Sequence, residues 1–152
     1  MRDTLVIADS SCLIILSKIG RLQILKSLYQ RVLVTREIAD EFGDVLPEWI
    51  ETSIVKDRTL QKLFEETLDL GESSALALAF EIDECIIILD DLKARRVAMK
   101  LNLSVTGTIG IIVKAKQQNI ITSVREVFKE IENTDFRISE KIINAAIKHA
   151  GE

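Results

Sequence analysis

Histidine, cysteine and aromatic residues are scarce in this chain of 152 residues, and each scarcity removes a class of chemistry. The one histidine, His149, falls near the carboxyl end in a surface-helix pattern, so histidine general-base catalysis and a histidine-rich zinc site are poorly supplied. Cys12 and Cys85 stand far apart without C-x-x-C spacing. They read as two buried thiols in a reducing cytoplasm, with a disulfide between them left open. Aromatic residues make up 5% of the chain, and the apolar content is mainly Ile, Leu, Val and Ala, which suits an aliphatic helix-on-sheet core. Neither a G-x-x-x-x-G-K-[ST] nor a G-x-G-x-x-G phosphate loop occurs. Gly107-Thr108-Ile109-Gly110 is too short for either and reads better as a tight turn with Thr108 as a helix N-cap.

Long apolar runs are absent too. No uncharged stretch approaches the length of a bilayer span, and the first apolar run is interrupted by Asp9 before it makes a signal peptide. The expectation is a soluble, cytoplasmic protein with no membrane partner. A formal net charge of -4 argues against coating nucleic acid by bulk electrostatics. Any phosphate substrate must therefore be held locally, by metal ions or a small basic patch. The length suits one domain over residues 1–152, and no repeat, low-complexity tract or linker divides it.

What the chain does contain is a pair of apolar runs that each stop at a carboxylate: Leu5-Val6-Ile7-Ala8 at Asp9 and Ile86-Ile87-Ile88-Leu89 at Asp90. Continuous hydrophobic runs followed by helical periodicity are the pattern of buried parallel strands, whose carboxyl ends form the edge where open α/β sheets bind ligands. The spacing predicts strands at 4–9, 31–34, 53–56, 85–90 and 103–105. Helices are predicted over 11–29 with a break at Gly20, from Thr35 as N-cap with Ile38 and Phe42 buried, over 58–67, from Asp69 with Leu76, Ala79 and Phe80 inward, over 92–101 with Ala94, Val97, Ala98 and Leu101 on one face, and over 107–115. Two amphipathic helices follow within 122–150, one marked by Val124, Val127, Phe128 and Ile131, the other by Ile142, Ile143, Ala146 and Ile147 behind Ser139. This alternation predicts an α/β fold, a three-layer α/β/α sandwich around a short parallel sheet.

Each acid has an ordinary reading: Asp9 and Asp90 as N-caps, Asp69 with Glu72 as a capping-box variant, Glu41 as a solvated helix residue. Together they mean more. If Asp9 and Asp90 end neighbouring strands while Glu41 and Glu72 lie over the same edge, carboxylates converge without obvious cations, and like charges at short range raise each other's pKa. An oxygen-only anionic site suits Mg²⁺ or Mn²⁺, and two such ions can activate a water and stabilise the leaving oxygen of a phosphodiester. Lys93, Arg95 and Arg96 are the dense basic group nearby, read either as phosphate-positioning residues or as a solvated helix face.

The segments V-I-A-D-S-S at 6–11, V-T-R-E-I-A-D-E-F at 34–42, L-G-E-S-S-A-L-A-L-A at 70–79, L-D-D-L-K-A-R-R-V-A at 89–98 and V-T-G-T-I-G at 105–110 together resemble a PIN domain, within core motifs spanning 4–116. The resemblance is to a predicted nucleic-acid-binding subfamily related to VapC-type toxins. It implies a Mg²⁺- or Mn²⁺-dependent ribonuclease acting on RNA, with Asp9, Glu41 and Asp90 as catalytic metal ligands, Glu72 completing the site and Ser11 supporting the first acid. Glu41 matches the helix acid better than Glu37, because it precedes Phe42. Toxin-type members often place a further Asp or Asn a few residues beyond the late acid, whereas here Asp91 follows Asp90 at once and is expected at most to support the metal ligands from behind or to serve a second metal. By analogy the partners extend to an antitoxin protein and a second copy in a homodimer. Two rival expectations are a non-catalytic nucleic-acid- or protein-binding module of the same fold and a Mg²⁺-binding receiver-like signalling domain.

Overall fold

The computed structural model describes residues 3–152, so the first two residues of the expected 1–152 domain lie outside the described residues. In chain order the elements are β1 (Asp3–Ala8), α1 (Ser10–Lys18), α2 (Gln23–Leu28), β2 (Tyr29–Thr35), α3 (Arg36–Phe42), β3 (Ile50–Ser53), α4 (Arg58–Glu65), α5 (Leu70–Ala79), β4 (Ile86–Ile88), α6 (Leu92–Lys100), β5 (Ser104–Thr106), α7 (Thr108–Gln117), α8 (Val124–Glu132) and α9 (Glu140–His149). The strands form one sheet in the order β3-β2-β1-β4-β5, and every neighbouring pair is parallel. β1 is central, and Leu5, Val6, Ile7 and Ala8 are all buried, as a strand covered on both faces requires.

Helices cover both faces, giving the expected three-layer α/β/α sandwich. α5 lies against β1, β2 and β4, with α3 and α4 packed on it, while α2 lies on β2 and touches α7, which α8 and α9 cover. α5 is buried along nearly its whole length because Gly71, Ser73, Ser74, Ala75, Ala77 and Ala79 are small enough to lie close to the sheet. The hydroxyls this buries are satisfied: Ser74 Oγ donates to the Gly71 carbonyl at 2.7 Å and meets Thr35 Oγ1 at 2.6 Å. Among the described residues no helix is long and apolar enough to cross a membrane.

Several element boundaries differ from the expectation, each for a local reason. The break expected at Gly20 is present, with Gly20 at a left-handed φ of +70°, but α2 ends at Leu28 because Tyr29 already pairs with β1 as the first residue of β2. β3 runs over Ile50–Ser53 rather than 53–56, because the buried Ile50 pairs with Val32 and sets the register. β4 is three residues, although Leu89 N–H still donates to the Thr106 carbonyl at 2.8 Å. Phe80 does not face inward: it is 48% exposed and stacks on Phe64 of α4 with ring centroids 6.4 Å apart. Leu101 and Ile142 are likewise exposed, since each lies at a terminal turn of its helix where the apolar stripe runs off the core. Phe42 is half-buried, not buried. The cysteines are free thiols, with Cys12 buried as expected but Cys85, just before β4, only half-buried.

Candidate functional site

All carboxyl ends of a parallel sheet share one edge, and the sheet order reverses between β1 and β4, which opens a crevice there. Asp9 follows β1 directly. Its backbone is extended (φ -84°, ψ 161°), it is the N-cap of α1, and its Oδ1 accepts from Ser10 N–H at 2.8 Å. Only 6% of the residue is exposed. Burial pushes its carboxyl up to about 7; the Ser10 N–H opposes this, and Asp69, Glu72 and Glu41 add to it through like charge.

Glu41, on the last turn of α3, is brought to Asp9 by two features. Ser10 Oγ donates to Glu41 Oε1 at 2.7 Å, so one residue links the first strand acid to the helix acid. Gly71, in the first turn of α5, leaves room for both carboxylates: a Cβ there would lie 2.8 Å from Glu41 Oε2 and 3.5 Å from Asp9 Oδ1. Glu72 is buried and forms a reciprocal capping box with Asp69, Glu72 N–H donating to Asp69 Oδ1 at 2.8 Å and Asp69 N–H to Glu72 Oε1 at 3.3 Å. Burial raises the Glu72 carboxyl, and Asp69, Asp91 and Glu41 contribute in the same direction against the Asp69 N–H. Asp69, Glu72 and Glu41 thus act on Asp9 through like charge, and Asp69 and Glu41 act on Glu72. Glu37 belongs elsewhere, its Oε2 accepting from Gln61 at 2.6 Å and Arg58 at 3.0 Å.

Asp90 stands on the other wall of the crevice. The register pairs Ala8 with Ile88, which sets Asp9 level with Leu89 and puts Asp90 one residue further along, so the two acids are not at equivalent strand ends. Asp90 is not an N-cap of α6; Asp91 is, through Oδ2 accepting from Ala94 N–H at 3.0 Å. Asp90 instead accepts from Thr108 N–H at 2.7 Å and from Thr108 Oγ1 at 2.6 Å, anchoring the start of α7. Thr108 is accordingly the first residue of α7 and not its N-cap, a position held by Gly107 without any side-chain bond. Beneath this wall burial pushes the Cys12 thiol up to about 12, even though Thr108 hydrogen-bonds it.

The basic residues divide. Arg95 is half-buried and folds back so that Nη1 reaches the Leu89 carbonyl at 3.4 Å, beside Gly107, where a Cβ would come within 2.6 Å of that nitrogen. Lys93 and Arg96 are exposed on α6. Among the described residues no three acid, cysteine or histidine side chains are close enough together to hold one metal ion as they stand.

Ser10, rather than Ser11, makes the hydroxyl contact with the acids, because α1 begins at Ser10 and the next residue is rotated onto another side of the helix. Ser11 is half-buried and opens onto a neighbouring cleft with Asp90. Asp69, Gly71 and Thr108 are further parts of the site. Asp69 carried a legible signal as a capping residue, but that it faces Asp9 is a tertiary fact.

The donor chemistry fits a hard divalent cation: oxygen-only carboxylates, a strand acid whose ionisation is suppressed by burial and neighbouring acids, and a glycine cradle that a methyl group would fill. A family model described as a PIN domain matches residues 5–152. No curated protein and no solved structure matches the chain.

Proposed function

We propose, from the premise that this chain belongs to the PIN domain family, that it is a divalent-metal-dependent endoribonuclease. The observation that carries this reading is the buried Asp9 carboxylate, joined through Ser10 to Glu41 and surrounded by Asp69 and Glu72, with the charges acting on it all negative. Carboxylates held together in this way are stable when a cation neutralises them. Asp9, Glu41, Glu72 and Asp90 would hold Mg²⁺ or Mn²⁺, with Asp91 outermost, and the ion when bound supplies activation of a water and neutralisation of the leaving oxygen of a phosphodiester.

The protein's own part is positioning. The Ser10 N–H fixes one Asp9 oxygen, leaving the other for the crevice, and the Ser10 hydroxyl orients Glu41. Thr108 fixes both oxygens of Asp90 by donating through N–H and Oγ1, so a lone pair on each remains for a ligand. Lys93 and Arg96, exposed on α6, would meet phosphates of a single-stranded or structured RNA, while Arg95 reaches back to the Leu89 carbonyl. A toxin role, with an antitoxin protein and a homodimer as partners, is the finer extension of this reading.

One observation favours a second reading, a non-catalytic nucleic-acid- or protein-binding member of the fold: the acids do not converge three at a time among the described residues, and Asp90 is committed to α7. Single-turnover cleavage of labelled RNA with Mn²⁺, with EDTA, and with Asp9→Asn in Mn²⁺ separates the two. Cleavage that requires both the ion and Asp9 supports the nuclease; RNA binding without Asp9-dependent cleavage supports the module.

A further inference from the structure

Beside the acid crevice lies a cleft of about 360 Å³ that the reaction outlined above does not use. Asp90, Thr108 and Ser11, the residue after the Ser10 that binds Glu41, form its inner wall, and Ile15, Ile109 and Ile138 give it apolar sides. Its outer rim carries Phe136, Arg137 and Ile142 from the α8–α9 connection and the first turn of α9. Three properties define what fits. The volume is at the small end of ligand pockets, which run from about 300 to 1,000 Å³, and admits a single planar ring system rather than a duplex. Asp90 is the one acid among its lining residues, and away from the inner wall the cleft is apolar but for Ser139, with Arg137 at the rim; nearby Lys18 is paired with Asp135 at 3.5 Å. Arg137 is held at that rim, its Nη1 donating to the carbonyls of Thr134 at 2.8 Å and Phe136 at 3.0 Å, and Lys18 Nζ lies 5.5 Å from the centre of the Phe136 ring.

We propose that this cleft takes one unstacked base of single-stranded RNA, from the nucleotide next to the phosphodiester held at the acids, with Phe136 and the isoleucines against the base and Arg137 against the adjoining phosphate. The inference rests on the nuclease reading, because a phosphate would lie beside the Asp9 and Asp90 carboxylates only with a cation bound there, and that would bring the neighbouring nucleotide to the cleft. Single strands are recognised by splaying bases onto apolar and aromatic surfaces while cations track the backbone. Ile142, 50% exposed on the first turn of α9, is open at the rim of the cleft.

The test is binding, read apart from cleavage. Fluorescence anisotropy with Ca²⁺ in place of Mn²⁺ measures the affinity of short single-stranded RNAs carrying one abasic ribose, moved position by position along the strand. Wild type is expected to lose about tenfold in affinity when the abasic ribose falls at one position next to the cleavage site, and little elsewhere. Arg137→Ala and Ile142→Glu both change exposed side chains, and a melting curve confirms that each folds. Ile142→Glu is expected to bind intact RNA about tenfold more weakly and to lose sensitivity to the abasic position, whereas Arg137→Ala weakens binding and keeps that sensitivity. Equal affinity for all abasic RNAs, or unchanged binding by both variants, overturns the proposal. Unchanged RNA binding with altered self-association in sedimentation would assign the cleft to a protein contact, and overturns it equally. RNA binding with a position-specific abasic effect but no Asp9-dependent cleavage would remove the nuclease reading and leave the base site standing. Asp9-dependent cleavage with no abasic effect would do the reverse.

Discussion

Asp9→Asn should stabilise the metal-free protein at neutral and alkaline pH while removing the proposed cleavage. The Asp9 carboxyl is raised from 3.8 to about 7, first by burial and then by its acidic neighbours. A folded-state value above the unfolded one means that the native state binds the proton more tightly, so stability is fullest below about pH 4, falls as the pH rises from there, and reaches its lower plateau once the pH passes about 7. At about 1.4 kcal/mol per pH unit the full penalty is on the order of 4 kcal/mol. Asparagine keeps the side-chain oxygen that accepts from Ser10 N–H but never ionises, so the variant escapes the penalty without losing the cap. For a chain of 152 residues this corresponds to a melting temperature roughly 10 °C above wild type at pH 8 in EDTA, with the difference closing toward pH 4. Saturating Mn²⁺ should narrow the gap by raising wild type, by about 3 kcal/mol at a hundredfold excess over Kd, and leave Asp9→Asn nearly unchanged. Urea or thermal unfolding at pH 5 and pH 8, with EDTA and with Mn²⁺, measures all four quantities. A difference between the proteins that is independent of pH, or an equal response of both to Mn²⁺, would refute the reasoning.

Other expectations test separate parts of the site. Gly71→Ala should fold with stability within about 1 kcal/mol of wild type, because the clash falls on the flexible end of Glu41 and alanine favours a helix, yet its single-turnover rate should drop at least about tenfold as Glu41 Oε2 is displaced. Asp90→Asn should lose most activity and Asp91→Asn far less, since asparagine still caps α6 at position 91; a larger loss at Asp91 would move the metal to that residue. Ser10→Ala should lower the rate by freeing Glu41 while leaving Mn²⁺-induced stabilisation largely intact, which titration of melting temperature against Mn²⁺ would show. Arg21→Ala, which removes the two-pronged pair with Glu130 far from the acids, should cost no more than about 1 kcal/mol in unfolding experiments and leave cleavage unchanged.

Much of this protein is legible one residue at a time. The uninterrupted run Leu5-Val6-Ile7-Ala8 reads as a strand buried on both faces, because only a helix-covered parallel sheet tolerates it, and the alternation with amphipathic segments then leads to the layered fold. Caps are equally local: Thr35, Asp69 with Glu72, Ser123 and Ser139 start their helices through hydrogen bonds spanning three residues. That Asp9 and Asp90 lie at the carboxyl edge of the sheet follows from apolar runs that end in carboxylates. Which atom of which acid faces which partner does not, since it depends on strand register and helix phase. A one-residue offset sets Asp9 level with Leu89 and leaves Asp90 free to bind Thr108, while a start of α1 at Ser10 gives that serine, and not Ser11, the contact with Glu41. Those offsets are decided by the packing of whole elements: Ile88 pairs with Ala8 and Thr106, and the small residues of α5 let Gly71 come within reach of Asp9. Local chemistry in the sequence determined that these acids exist and lie at strand and helix ends; the tertiary structure alone decided how they meet, because distances between residues far apart in the chain are set by the summed close packing of everything between them.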